Sequence, residues 1–112
     1  MVQREDVRRR PAPIDVRTSE QIKAELRAIL PELRRRWPIS YLGLFGSWAR
    51  GEQRPDSDLD LLVDFDGPLD LYAYVELQDE IGRRLGLPVD LVHRRGLRPF
   101  IGGRILAEVQ AL

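Results

Sequence analysis

Two aspartates one residue apart, Asp58 and Asp60, follow a Gly-Ser pair, Gly46-Ser47, after ten intervening residues. Each pair adjoins a short apolar run that is typical of a buried strand. Because successive side chains of a strand alternate between its faces, Asp58 and Asp60 are predicted to project from one face. Two carboxylates that face a glycine-serine turn would suit a divalent cation such as Mg²⁺ together with a nucleoside triphosphate.

The Gly-Ser pair has the features of an anion-binding turn. A glycine that leaves a strand lets the backbone approach a ligand closely, because no Cβ intervenes. Ser47 is predicted to be the N-cap of a short helix over 47–52, where its hydroxyl and free backbone N–H groups would face an anion. Arg50, one turn further on, could donate several hydrogen bonds to the same phosphate. Gly46, Ser47 and Arg50 are therefore the candidate nucleotide-binding residues.

A third carboxylate, Asp90, lies inside an apolar Pro-Val-Asp-Leu-Val segment that predicts a strand over 88–92. A lone carboxylate in such a segment is costly to bury without a partner or a metal. If this strand lies beside the one that carries Asp60, then Asp58, Asp60 and Asp90 form one cluster. Three carboxylates beside an anion-binding turn fit nucleotidyl transfer with two Mg²⁺ ions. One ion would lower the pKa of an attacking hydroxyl, and the other would neutralise the triphosphate and the leaving pyrophosphate.

A simpler interpretation of the same residues needs no catalysis. The acidic stretch could be a solvated turn that enters a strand, and Gly46-Ser47 could be an ordinary turn. Each feature taken singly fits that interpretation. The combination, with Asp90 in a later strand, favours a catalytic site in which these three aspartates are the catalytic and metal-binding residues.

The elements that position these residues follow from the apolar pattern. Thr18 and Gln21 form a capping-box pattern ahead of a helix with one buried face, which Pro31 is predicted to kink or divide. The strands over 39–45 and 59–65 are joined by too short a connection for a comfortable parallel crossover, so we expect an antiparallel pair.

The second half of the chain is predicted to form a helix, a strand and a helix. The helix spans 69–85 and ends before Gly86, and the strand over 88–92 is expected to lie parallel to the second strand through a right-handed crossover. The last helix is predicted over 97–112. The fold class is thus α/β (α+β), with a small mixed sheet of about three strands packed with helices.

Length and composition limit the classes of protein. The 112 residues suit one small domain, and we expect it to span 18–112 behind a mobile, arginine-rich arm over 1–17. The 18 basic and 18 acidic residues balance, so no direct nucleic-acid binding is expected. Without cysteine or a long apolar stretch, the chain is predicted to be cytoplasmic and to avoid membranes.

The central stretch resembles a known family. Gly46-Ser47, ten residues and Asp58-x-Asp60 reproduce the signature of the DNA polymerase β-like nucleotidyltransferase superfamily. The longer string FGSWARGEQRPDSDLDLLV is similar to its minimal nucleotidyltransferase branch, the MntA antitoxins. The resemblance implies Gly46 and Ser47 at the triphosphate, Asp58 and Asp60 on Mg²⁺, and Asp90 as the third carboxylate. Arg50 matches the Ala-Arg-Gly segment of the family and would be a phosphate contact.

The resemblance also implies a partner and a reaction. Members of this branch pair with a HEPN-domain ribonuclease toxin in a type VII toxin–antitoxin system, and neutralise it by transferring AMP from ATP to a tyrosine hydroxyl. Because larger superfamily members carry substrate-binding domains that this chain lacks, we expect the acceptor to come with another macromolecule. Two alternatives stay open: an antitoxin that acts by steric binding alone, and a transferase that modifies a small-molecule hydroxyl.

Overall fold

The computed structural model describes residues 17–97 and 99–112, and for residues 99–101 the backbone alone. The expected N-terminal arm over 1–17 lies outside these residues except for Arg17. The guanidinium of Arg17 donates to Glu25 Oε1 at 2.7 Å and to the Leu85 carbonyl at 2.8 Å. This residue therefore ties the first helix to the end of the third.

A four-stranded mixed sheet in the order β3-β2-β1-β4 forms the centre of the fold. In chain order the elements are α1 (Ser19–Arg36), β1 (Ile39–Phe45), α2 (Gly46–Arg50), β2 (Leu59–Phe65), α3 (Leu71–Leu85), β3 (Val89–His93), a 3₁₀ turn (Arg94–Gly96), α4 (Pro99–Glu108) and β4 (Gln110–Ala111). Strands β1 and β2 are antiparallel and β2 and β3 are parallel, which confirms both predicted pairings. The α/β fold class is confirmed as well.

The hydrophobic core lies between one face of the sheet and the helices α1 and α3. In β2 the core-facing residues are Leu59, Leu61 and Val63, all fully buried, and they pack against the apolar stripes of the two helices. The residues between them point to the opposite face, which carries Asp60. On that face Leu62 is fully buried, whereas Asp60 lines a cavity together with residues of α2 and α4. No helix in the described ranges is long and apolar enough to cross a membrane.

The predicted bounds of two helices need correction. Pro31 does not divide α1, which is one helix over Ser19–Arg36. Pro31 lies on the exposed side, where water can hydrogen-bond the carbonyl that loses its partner. Helix α3 begins two residues later than predicted, because Asp70 is its N-cap and accepts a hydrogen bond from the Ala73 N–H at 2.8 Å.

The C-terminal segment differs most from prediction, because the expected helix over 97–112 ends early and is followed by a fourth strand. Helix α4 ends at Glu108, and Gln110 and Ala111 pair with Leu44 and Gly43 of β1. This pairing supplies partners to backbone groups on the edge of β1 that would otherwise stay open. It brings the end of α4 beside the turn that follows β1.

Candidate active site

Asp60 and Asp90 lie opposite each other on adjacent strands. Asp60 is the second residue of β2, Asp90 is the second residue of β3, and the parallel register pairs them directly. Paired residues on neighbouring strands project from the same face, so the two carboxylates share one face of the sheet. Asp58 precedes β2 by one residue and is exposed, as is Asp90, whereas Asp60 is half-buried. The sequence-predicted proximity of Asp60 and Asp90 is thus present in the structure.

Gly46 brings the end of β1 against the carboxylate of Asp60. Phe45, the last residue of β1, pairs with Asp60 across the antiparallel ladder, and Gly46 follows it with a φ of +79°. A Cβ at position 46 would lie 2.2 Å from Asp60 Oδ2. The backbone of the Gly-Ser turn is therefore in contact with the aspartate cluster, as the motif predicts.

Burial and the neighbouring carboxylates perturb the pKa of Asp60 more than that of the other acids of the site. Burial, the neighbouring carboxylate of Asp90 and that of Asp58 raise the pKa of Asp60 from 3.8 to about 6. Arg50 partly opposes this change, and Glu108 adds to it. The raised pKa means that the ionised form of Asp60 is unfavourable in this environment. A cation bound beside the carboxylate would stabilise that ionised form.

Helix α2 holds the Gly-Ser turn in place, but its cap is not the predicted one. The helix begins at Gly46 rather than after Ser47, and its N-cap is Phe45, without a side-chain hydrogen bond. Ser47 is instead in the first turn, half-buried, and lines the cavity described below. Trp48 is 1% exposed and packs into the core, and its carbonyl accepts a hydrogen bond from the Ser19 hydroxyl. Trp48 therefore anchors this short helix.

Glu108, at the end of α4, makes contacts where an anionic ligand was expected. Its Oε1 accepts a hydrogen bond from the Gly46 N–H at 3.0 Å, and the Arg50 guanidinium lies 3.2 Å from both carboxylate oxygens. Arg50 also donates to Glu52 Oε1 at 3.0 Å. Two of the three predicted nucleotide-binding residues thus share one carboxylate from the C-terminal helix.

An open cavity of about 400 Å³ joins these residues. It is lined by Phe45, Gly46, Ser47, Arg50, Asp60, Arg104, Ile105 and Glu108. Sequence reasoning missed Arg104 and Glu108, because they lie far along the chain and α4 has no motif of its own. The pairing of β4 with β1 is what brings them here, and a two-residue strand leaves almost no pattern in a sequence.

The carboxylate oxygens of the site are of a type that binds divalent cations. The oxygens of Asp58, Asp60 and Asp90 are of the hard type that Mg²⁺ prefers, and burial together with the neighbouring carboxylates raises the pKa of Asp60. Within the described ranges, no three acidic, histidine or cysteine side chains are closely enough grouped to hold an ion as they stand. Mutual repulsion of exposed carboxylates favours such separation, and a cation would reverse it.

Paired carboxylates beside a glycine-serine turn, on one face of a small mixed sheet, define a nucleotidyltransferase. The comparison with known families agrees, since residues 26–112 match the nucleotidyltransferase domain. The chain belongs to this family.

Similar proteins place it within the minimal branch. The chain is 42% identical over 92 residues to the protein adenylyltransferase MntA of Thermococcus cleftensis, covering 82% of this chain and 93% of the relative. A solved structure assigned as a minimal nucleotidyltransferase is 38% identical, with a TM-score of 0.75 over 88% of this chain and 99% of the other. A crystal structure of a toxin–antitoxin with AMP-PNP is 27% identical, with a TM-score of 0.64 over 75% and 69%. These findings confirm the resemblance drawn from the motif.

Proposed function

We propose that this nucleotidyltransferase transfers AMP from ATP to a tyrosine hydroxyl of a HEPN-type ribonuclease toxin, and so acts as its antitoxin. The observation that carries the proposal is the direct pairing of Asp60 with Asp90 beside the Gly46 backbone. The 42% identity to a protein adenylyltransferase supports a protein as the acceptor. The likeness to a toxin–antitoxin solved with AMP-PNP supports both the nucleotide and the class of partner.

One group of residues in the site would bind the triphosphate, and another would bind Mg²⁺. Gly46, Ser47 and Arg50 would hold the triphosphate through backbone N–H groups, a hydroxyl and a guanidinium. Asp58, Asp60 and Asp90 would hold Mg²⁺, with two ions expected from the three carboxylates. The bound cations would supply neutralisation of the triphosphate and of the pyrophosphate that leaves.

The transfer itself breaks a phosphoanhydride bond of ATP and forms a phosphoester bond to the acceptor. The acceptor oxygen forms a bond to the α-phosphorus, and the bond between that phosphorus and the bridging oxygen to the β-phosphate breaks, releasing pyrophosphate. Asp90 is exposed at the edge of the cluster, so its carboxylate can meet a hydroxyl brought by a macromolecule and take its proton. Catalysis would rest mainly on positioning and on stabilisation of charge.

The test incubates the protein with labelled ATP, Mg²⁺ and a HEPN-domain protein from the same organism. We expect mass spectrometry to find AMP on a tyrosine of the partner with the wild type, and no transfer with an Asp58→Asn/Asp60→Asn variant. Asp64→Asn is a matched control, because Asp64 lies on the same strand but contacts His93 and Arg95 instead. Equal transfer by wild type and double variant would exclude the proposal. Protection of cells by the double variant would favour steric neutralisation.

A further inference from the structure

The Glu108 carboxylate makes the contacts that a phosphate group of ATP would make. It accepts the Gly46 N–H at 3.0 Å and lies 3.2 Å from the Arg50 guanidinium, and both residues belong to the proposed nucleotide-binding set. A carboxylate and a phosphate are both anions that accept hydrogen bonds from such donors. Only one of them can occupy these donors at a time.

The surroundings of Glu108 favour replacement of its carboxylate by a phosphate of ATP over simultaneous binding of both anions. Its side chain is 32% exposed and borders the open cavity, so it can turn outward without unpacking a core. Asp60 lies in the same cavity, and Glu108 contributes to the raised pKa of Asp60. Adding a triphosphate while Glu108 stays in place would bring more negative charge to a cluster already short of cations.

The backbone that carries Glu108 is anchored independently of this contact. Gln110 donates to the Ala49 carbonyl at 3.1 Å and accepts from Lys23 Nζ at 2.5 Å, and the Leu112 N–H donates to the Leu42 carbonyl at 3.0 Å. The end of α4 therefore stays beside α2 even when the Glu108 carboxylate no longer contacts Gly46 and Arg50. A side-chain rotation is then enough to open the phosphate position.

We propose that Glu108 is an intramolecular competitor of ATP, which holds Gly46 and Arg50 in the empty site and sets the affinity for the nucleotide. This inference rests on the proposed function, because it takes Gly46 and Arg50 as triphosphate contacts. It assigns to α4 a role in nucleotide affinity.

The test compares Mg²⁺·ATP binding by calorimetry in wild type, Glu108→Gln and Glu52→Gln. Glutamine keeps the size of the side chain but removes its charge, so we expect Glu108→Gln to lower the Kd for ATP by about five- to tenfold. Glu52 contacts Arg50 but is not a partner of Gly46, so Glu52→Gln should change the Kd by less than about twofold. Adenosine, which has no phosphate, should bind wild type and Glu108→Gln alike.

A second measurement separates competition from a purely structural role. Without nucleotide, Glu108→Gln should unfold at a lower temperature than wild type, since Gly46 and Arg50 lose a charged partner, although it binds ATP more tightly. If the glutamine variant does not fold, Glu108→Asp replaces it, because its side chain is one methylene shorter. It should likewise unfold at a lower temperature without nucleotide and have a lower Kd for ATP.

Three outcomes would overturn the competitor role. The first is an unchanged or higher Kd in Glu108→Gln, because the carboxylate would then be orienting Arg50. The second is an equal gain in Glu52→Gln. If no variant and no wild type binds Mg²⁺·ATP, the proposed function fails, and the competitor role fails with it.

Discussion

The backbone of Gly46 and the carboxylate of Asp60 are in closer contact than any side chain at position 46 would permit. A Cβ there would lie 2.2 Å from Asp60 Oδ2 and 3.0 Å from Asp60 Cβ. The φ of Gly46 is +79°, in the region that L-amino acids with a side chain rarely adopt. Glycine is therefore required twice at this position, once for its backbone conformation and once for the space beside the aspartate.

Gly46→Ala should damage the site through both effects. The positive φ alone costs on the order of 1–3 kcal/mol for a residue with a Cβ. The methyl group would in addition push Asp60 away from its position opposite Asp90. We expect a lower free energy of unfolding in urea and a loss of AMP transfer of at least about a hundredfold.

Gly51→Ala is the matched control for this variant. Gly51 has a φ of +72°, but a Cβ there would have no atom within 4 Å. It should lose stability to a similar degree through the backbone while keeping most of the transfer activity. If both variants keep equal activity, the contact between Gly46 and Asp60 does not matter for catalysis.

Burial and the neighbouring carboxylates predict that Asp60 contributes less stability to the metal-free protein as the pH rises. The pKa of Asp60 is about 6 in the folded state and near 3.8 in the unfolded chain, so the folded state binds the proton more tightly. The stability contributed by the protonated group is fully present below about pH 4 and is lost as the pH rises through about 6. Asp60→Asn stays neutral, so its stability relative to wild type should increase between pH 4 and pH 7.

Urea unfolding in EDTA, repeated at several pH values on both proteins, measures this difference. Adding Mg²⁺ at pH 7 should stabilise wild type and leave Asp60→Asn nearly unchanged. A difference between the two proteins that stays constant with pH would show that Asp60 is not perturbed in the folded state.

The motif and the strands that carry it were predictable because their signals are local. The runs over 39–45 and 59–65 are apolar and bounded by turn residues, and both strands have these bounds in the structure. The helix between β2 and β3 favours a parallel crossover, and Asp90 lies beside Asp60 because β3 is the neighbour of β2 in the sheet. The proximity of Asp60 and Asp90 therefore follows from the apolar pattern of the strands and from the right-handed crossover between them.

The part of the site that comes from α4 was not predictable in the same way. Glu108 reaches Gly46 because Gln110 and Ala111 pair with β1, and a two-residue strand leaves no periodicity to detect. The sequence pattern predicts one helix over 97–112, whereas the structure has a helix that ends at Glu108 and a short strand. The expected cap at Ser47 failed for a related reason, since the Gly46 N–H has a partner from a residue sixty-two positions away.

Arg104 should contribute to nucleotide affinity. It lines the cavity with Ser47 and Asp60, lies one helical turn before Glu108, and makes no hydrogen bond or ion pair with described residues. Arg104→Gln should raise the KM for ATP by about three- to tenfold at low ionic strength, because one unpaired cation is lost from the phosphate side of the cavity. Arg83→Gln serves as control, since Arg83 pairs with Glu80 away from the cavity. A KM equal to that of wild type would place the triphosphate elsewhere.

Asp90 should separate nucleotide binding from transfer. It is exposed and directly paired with Asp60, and the three atoms nearest to a Cβ built at Gly46 all belong to Asp60. Asp90→Asn keeps the size of the side chain but removes the carboxylate that is proposed to accept the hydroxyl proton. We therefore expect AMP transfer to the partner to fall by about 10²–10⁴-fold, while the Kd for ATP measured by calorimetry changes by less than about threefold.

The control is Asp64→Asn. Asp64 lies on the face of β2 that carries Asp60, but it contacts His93 and Arg95. This variant should transfer AMP at the rate of wild type. Raising the pH from 6 to 9 should partly restore Asp90→Asn, because a tyrosine hydroxyl with an ordinary pKa of about 10 loses its proton more readily as the pH rises and then needs no protein base. If Asp90→Asn instead loses ATP binding and transfer in equal proportion, Asp90 acts through the bound cation and nucleotide alone. The hydroxyl proton must then go to another acceptor, for which the second candidate is the half-buried carboxylate of Asp60.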